Sequence, residues 1–225
     1  MKKILGTCLS GLAVALLLVV GGAAQENFVI GGVAGVCGLH GHAMLPPAVI
    51  FSNCGSGCTS YSNTTGYYVS GTALAAAPGQ TLAMGFTPRS SSTFSFALTP
   101  DAVFTDNGGA SSGELSAFLL HGSASKGPTT FLAKLTQHGT IPDFPAIKLI
   151  KWTSTKTVIL KQGVTYFLCE TEPAAHVQVL WMASNSDTTS PFWFQEHGSC
   201  TAKGLNWVNA TGSAEGPALD VVHTN

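Results

Sequence analysis

From residue 48 onward the apolar residues do not recur every three or four positions. They come in short runs rich in β-branched and aromatic side chains, each bounded by Gly, Ser, Thr, Asn or Pro. That punctuation is the signature of β-strands joined by turns. It predicts strands at Ala48–Ser52, Gly66–Gly71, Thr81–Phe86, Thr93–Leu98, Glu114–His121, Thr130–Thr136, Ala146–Trp152, Thr157–Leu160, Val164–Glu170, Val177–Ala183, Pro191–Gln195, Leu205–Asn209 and Ala218–His223. In the segment from His176 to Trp181, Val177, Val179 and Trp181 alternate with other residues, which predicts a strand with one buried face. The best helical stretch, Ala73–Ala77, is stopped after about one turn by Pro78 and Gly79. Lys161-Gln162-Gly163 reads as a tight hairpin or turn, with Gly163 supplying a positive φ. No internal repeat of fixed period is visible. Many short strands without helices predict an all-β fold, an antiparallel β-sandwich of jelly-roll type.

The first 24 residues follow a different pattern. Met1-Lys2-Lys3 is a short positive segment, Ile4 to Val20 is apolar, and Gly22-Ala23-Ala24 puts small residues at the -3 and -1 positions of a cut after Ala24. This is the layout of a secretory signal helix. The dense apolar stretch, Leu12–Val20, is short against the roughly 20 residues of a membrane span. Residues 25–47 form a Gly- and Pro-rich arm ending in Pro46-Pro47, and 48–225 form the β-sandwich domain. Phe28–Val36 is a second apolar run, readable as a buried strand or as part of an uncleaved anchor. The expected location is secreted or periplasmic, with the membrane met only through the signal segment during export.

Composition sharpens this picture. Only 9% of the 225 residues are charged, against roughly 25% in an ordinary soluble domain, while 45% are hydrophobic. Disordered chains pair low hydrophobicity with high net charge, so this chain is a folded one. A net charge of -1 excludes the basic footprint of a nucleic-acid binder. The polar surface must come from Ser, Thr, Asn and Gln.

Export means an oxidising compartment, where cysteines are first read as disulfides. Of the six, Cys8 departs with the signal. Cys54 and Cys58 can close a short Gly-rich loop, and Cys169 and Cys200 can staple neighbouring strands. Cys37 is then unpaired, or it displaces one of the others, and spacing alone does not choose. Cys37 with His40 and His42, or Cys54 with Cys58, spells half of a zinc site. The expectation is disulfides, no metal and no cofactor.

Catalytic patterns are sparse. Glycoside hydrolysis needs two carboxylates across a cleft. Glu170-Thr171-Glu172 puts two on one face of a strand, but the neighbouring Pro173 reads as a solvated strand end. Glu196-His197 is the one acid–histidine neighbour pair of interest. No Gly-x-Ser-x-Gly elbow and no phosphate loop is present. Thr105–Gly109 reads as an Asn-Gly turn before it reads as a calcium loop. Sugar recognition, in contrast, needs aromatic platforms beside amide and hydroxyl groups, and Tyr61, Tyr67, Tyr68, Trp152, Trp181, Trp193 and Trp207 supply rings. In Phe192-Trp193-Phe194, alternation sets Trp193 opposite its two neighbours. Either Trp193 or the phenylalanine pair faces solvent, or the strand is buried on both faces. The residues singled out for ligand binding are Trp193, Tyr67, Tyr68 and Trp207.

From about Ile50 to the C-terminus the order of motifs resembles the bacterial choice-of-anchor R family. The resemblance is carried by Phe51-Ser52-Asn53, Tyr61–Gly71, Met84–Pro88, Gly113–Leu119, Leu160–Leu168, Val179-Leu180-Trp181, Asn206-Trp207-Val208 and Ala218–Val222. It implies an exported β-sandwich, in a family whose members often carry interchangeable C-terminal surface-sorting tags and have no assigned activity. No such tag follows Asn225, and neither the Gly31–Pro47 arm nor the Cys54/Cys58 pair belongs to the pattern. The expectation is therefore a non-catalytic extracellular or cell-surface interaction protein with glycans or cell-surface components as partners. The alternatives are a secreted jelly-roll hydrolase using a carboxylate pair, and a structural matrix protein.

Overall fold

The computed structural model describes residues 48–73, 79–104, 115–185, 187, 189–196, 198–201, 206–212 and 215–223. Among them there is no α-helix, and the regular structure is fourteen strands. These are β1 (Ala48–Ser52), β2 (Tyr61–Ser70), β3 (Thr81–Phe86), β4 (Ser92–Thr93), β5 (Phe96–Phe104), β6 (Ser116–Ser123) and β7 (Gly127–His138). They continue as β8 (Lys148–Ser154), β9 (Ile159–Leu160), β10 (Tyr166–Thr171), β11 (Gln178–Ser184), β12 (Phe192–Gln195), β13 (Val208–Asn209) and β14 (Asp220–His223). The signal segment, the arm, Cys37 and the Asp106-Asn107-Gly108 turn lie outside the described residues.

Every strand-to-strand ladder is antiparallel. One sheet runs β1-β14-β5-β8-β7-β6-β10-β3-β12-β13, with β11 joined to β5 and β2 to β11, and β4 pairs with β9 separately. Distant parts of this order face one another across a shared interior. The Phe51 ring on β1 lies 5.9 Å from Phe86 on β3, and Tyr67 on β2 lies 4.6 Å from Phe192 on β12. Between the faces sits the main core, with Ile150 and Trp152 of β8, Val179 and Trp181 of β11, Leu82 and Met84 of β3, Leu119 of β6 and Leu168 of β10. The arrangement is β-sandwich-like.

The predicted strands each overlap an observed one, with one instructive difference. The stretch from Thr99 to Phe104, which contains Pro100 and Asp101, continues β5 rather than ending it. On one edge β5 pairs with β14 up to Leu98 and with β11 from Asp101 onward. Pro100 falls between the two, where that edge has no strand partner. A residue lacking an N–H fits there without breaking a ladder.

A second difference concerns exposure. Val177, Val179 and Trp181 do share the core face, but Gln178, Leu180 and Met182 on the other face are buried too. The strand is therefore sealed on both sides. β10 is sealed in the same way: Tyr166 and Leu168 face the main core, while Phe167 and Cys169 belong to a second cluster with Ala83, Leu120, Trp193 and Cys200. Gly163 has the expected positive φ of 75°. It makes a turn and not a hairpin, because β9 pairs with β4 while β10 pairs with β3 and β6.

Two disulfides are formed, Cys54–Cys58 and Cys169–Cys200. Such bonds fit an oxidising, extracytoplasmic environment. They also remove Cys54 and Cys58 from the thiolate inventory of any zinc site. A cross-link restricts the unfolded chain more when it closes a longer loop. The sequence separations are 31 for Cys169–Cys200 and 4 for Cys54–Cys58. Replacing the first pair by alanine should cost about 3–4 kcal/mol, and replacing the second about 2 kcal/mol, read from urea unfolding midpoints. The reverse order would show that loop closure is not the dominant effect.

Candidate binding surface

The four aromatic residues singled out above do not converge. Trp193 is only 6% exposed, and its neighbour Phe192 is buried on the opposite face. Of the alternatives for Phe192-Trp193-Phe194, burial on both faces is the one found, and Trp193 is not a solvent-facing platform. Its indole lies against the backbone of Gly127, where a Cβ would come within 2.9 Å of the ring and where φ is +73°. Trp207 is half-buried on the same cluster. Tyr67 points inward, packs on Phe192 and donates its hydroxyl to the Glu215 carbonyl. Burial, and secondarily the charge of Glu215, raise the pKa of that hydroxyl.

Tyr68 is different. Strand alternation sends it to the outer face of β2, where it is 37% exposed. Its ring lies 5.9 Å from Phe104, which lies 6.3 Å from Phe144. Phe144, 38% exposed, reaches this face because the chain before β8 runs alongside β5. The Val103 N–H donates to the Pro142 carbonyl at 2.8 Å, and the Phe144 N–H donates to the Val103 carbonyl at 2.7 Å. Three rings thus form a row with no charged side chain among them. Sequence patterning had no means to add Phe104 and Phe144: one ends a strand that Pro100 disguises, and the other lies in a connection.

On β5, Ala97, Thr99, Asp101 and Val103 face the interior, so Leu98, Ala102 and Phe104 share the outer face. The aromatic row sits at the Phe104 end of that face. At the Leu98 end lies a surface pocket of about 600 Å³, lined by Cys58, Thr59, Tyr61, Ser62, Asn63, Leu149 and Asn185. Leu98, Leu149 and Tyr61 pack together beneath it with Cys54, Cys58 and Ala218. Six residues of strand separate the two ends, about 20 Å at 3.3 Å per residue. The lining carries hydroxyls, two side-chain amides and one aromatic ring, and no carboxylate, ammonium or guanidinium.

The pocket wall is a tightly turned loop. Gly55, Cys58 and Gly57 have φ of 75°, 51° and 69°, and Cys58 is the one non-glycine residue among the described residues in that region. The Cys58 N–H donates to the Gly55 carbonyl and the Ser60 N–H to the Cys54 carbonyl. The Ser52 hydroxyl donates to the Gly55 carbonyl, and the Gly57 N–H donates to Asp220 Oδ2 at 2.8 Å. Burial raises the Asp220 pKa, and the Gly57 N–H works against the rise. With the disulfide, these bonds hold the wall in one shape before any ligand arrives.

The carboxylates tell another story. Glu170 is fully buried, not a solvated strand end, and Glu172 is buried with Oε1 accepting the Ala174 N–H at 2.7 Å. Burial pushes Glu172 up to about 7, against the lowering effect of that bond. Glu196 is exposed, and His197 lies outside the described residues. Two further surface cavities, of about 470 and 390 Å³, are lined around His121 and Lys161 and around Lys134 and Gln137; neither is lined by an acid. Among the described residues, no group of three His, Cys, Asp or Glu could hold a metal ion. No helix among them is long and apolar enough to cross a membrane.

No protein-family model, curated protein or solved structure matches the chain. The geometry separates its aromatic residues by role. Trp193→Ala should cost about 3–5 kcal/mol, as removal of a buried indole does, whereas Tyr68→Ala should cost less than about 1 kcal/mol. Chemical unfolding of the two variants checks this, and a Trp193→Ala protein as stable as the parent would contradict the packing.

Proposed function

We propose that the chain is an exported, non-catalytic β-sandwich of jelly-roll type that binds neutral glycans at the aromatic row formed by β2, β5 and the connection before β8. The observation that carries this reading is the row Tyr68–Phe104–Phe144, laid on a sheet face with two of its rings more than a third exposed. Large aromatic rings kept at the surface of a chain that buries Trp152, Trp181 and Trp193 mark an interaction site. Rings stack on the apolar faces of sugars, while amides and hydroxyls, such as those of Asn63, Asn185, Ser62 and Thr59, satisfy sugar hydroxyls.

Charge supports the same class of partner. Neither the row nor the pocket lining carries an ionised side chain, so nothing there would favour an acidic polysaccharide or nucleic acid. The two disulfides agree with residence outside the cytoplasm in a secreted or periplasmic location. The resemblance carried by Phe51–Asn53, Tyr61–Gly71, Leu160–Leu168 and Ala218–Val222 implies the same export. The hydrolase reading loses its support: Glu170 is sealed in the core, and Glu172 and Glu196 share no cavity described above.

The test is a glycan array probed with the mature chain from Gln25, beside Tyr68→Ala and Phe144→Ala. Neutral oligosaccharides should be retained, and each variant should bind them roughly tenfold more weakly, the equivalent of about 1.4 kcal/mol, with unchanged melting. Retention of acidic glycans alone, or of none, would overturn the proposal and leave the matrix reading.

A further inference from the structure

Thr99 and Asp101 point inward from β5, and Glu170 points inward from β10 in the facing part of the sheet. All three are fully buried. The Trp152 indole N–H donates to Thr99 Oγ1 at 2.8 Å, and the Thr99 hydroxyl donates to Asp101 Oδ2 at 2.5 Å. That hydroxyl has one proton, and it is committed. Asp101 Oδ1 and both Glu170 carboxyl oxygens are buried with no hydrogen-bond partner.

Among the described residues, no cation relieves them. Lys148 is the register partner of Asp101 on β8 and starts from the same face, but it is exposed and its ammonium lies beside Gly139. The residues opposite Glu170 are Leu82 on β3 and Ala117 on β6. Asp101 lies beside Trp181 on β11, and the next core residues on β8 are Ile150 and Trp152. None of these titrates. Just beyond β10, Glu172 is bonded to the Ala174 N–H, and Asp220 on β14 is bonded to the Gly57 loop on the outer side of the sheet.

Two ionised carboxylates cannot coexist in such a site, because burial and mutual repulsion both disfavour the second charge. A proton between them resolves the geometry at once. Glu170 lies near enough to Asp101 to feel its charge, and a protonated Glu170 would offer an O–H to the unpartnered Asp101 Oδ1, pairing two of the three orphaned oxygens. We propose that Asp101 and Glu170 share a proton in the core and act as a pH-sensitive lock between β5 and β10.

Burial pushes Asp101 up to about 7, against the pull of the Thr99 hydroxyl. Glu170 is driven well above the ordinary carboxyl range, first by burial, then by the charge of Asp101. The folded protein therefore holds protons that the unfolded chain releases. The stabilisation is fully present below the unfolded carboxyl range, near 4, and is lost as pH rises through the folded values. This is the reverse of ordinary acid denaturation. Glu172 and Asp220 shift in the same direction, so the experiment must separate them.

The test is thermal unfolding of the mature chain between pH 5 and pH 9, comparing the parent with Glu170→Gln and Glu172→Gln. The parent's melting temperature should fall by roughly 5–15 °C across that range. Glu170→Gln supplies a permanent N–H donor, so it should remove most of the slope and equal or exceed the parent at pH 9. Glu172→Gln should leave most of the slope in place. A parent curve that is flat or rises with pH, or a slope that Glu172→Gln removes and Glu170→Gln does not, would overturn the proposal. If Glu170→Gln does not fold, carbon-13 titration of the parent decides: the pair should retain a proton at pH 6, and two fully ionised carboxylates there would sink the idea.

Discussion

The constraint on which the structure depends is that its central strands are buried on both faces. β10 and β11 have no side chain open to bulk water over most of their length. A two-layered β fold shields the inner faces by construction, but the outer faces need separate cover. On one side the Cys54–Cys58 loop and Ala218 pack over Leu98 and Leu149. On the other, Trp193 and Cys200 close over Phe167 and Cys169. Each disulfide therefore sits in the cover of an outer face. A chain with so few charges has little else with which to pin short loops onto a sheet.

This doubly covered plan gives the surface its character. Beyond the covers, the row from Tyr68 to Phe144 reaches the surface, with Tyr68 and Phe144 each more than a third exposed. The pocket rimmed by Asn63 and Asn185 begins at the edge of one cover. Aromatic row and structural plug are thus neighbours on one face, and the loop that stabilises the sheet also shapes the pocket wall. The interior follows the same economy. Among the described residues no basic side chain neutralises Asp101 and Glu170, and a shared proton as their counter-charge links the polar centre of the fold to pH.

Much of the fold was legible from residue patterning. β1 and β3 begin and end where their Gly, Ser and Pro boundaries predict, and Gly163 takes the positive φ that its turn requires. Both disulfides join cysteines whose placement suggested it. The extension of β5 past Pro100 was not legible, because a proline reads as a break unless it is known which strand edge it meets. The burial of Glu170 was hidden for a related reason. A carboxylate beside a proline looks like a strand end in one dimension, and only the facing strand shows that it is enclosed. The candidate site fared worst. Tyr68 was marked in advance, but Phe104 and Phe144 join it through a β5–Pro142 hydrogen bond that no local pattern encodes, and Trp193, the ring most suggestive in sequence, proved to be packing.

The sequence by itself determined an all-β chain, its strands and turns, and cysteines able to form disulfides in an oxidising compartment. These follow from local periodicity, backbone preference and spacing, which act over a few residues. Only the tertiary structure decided which faces are covered, which aromatic rings remain outside, and that two acids meet in the core. Those outcomes depend on strands far apart in the chain, whose side chains acquire a common environment only once the sheet has folded over itself.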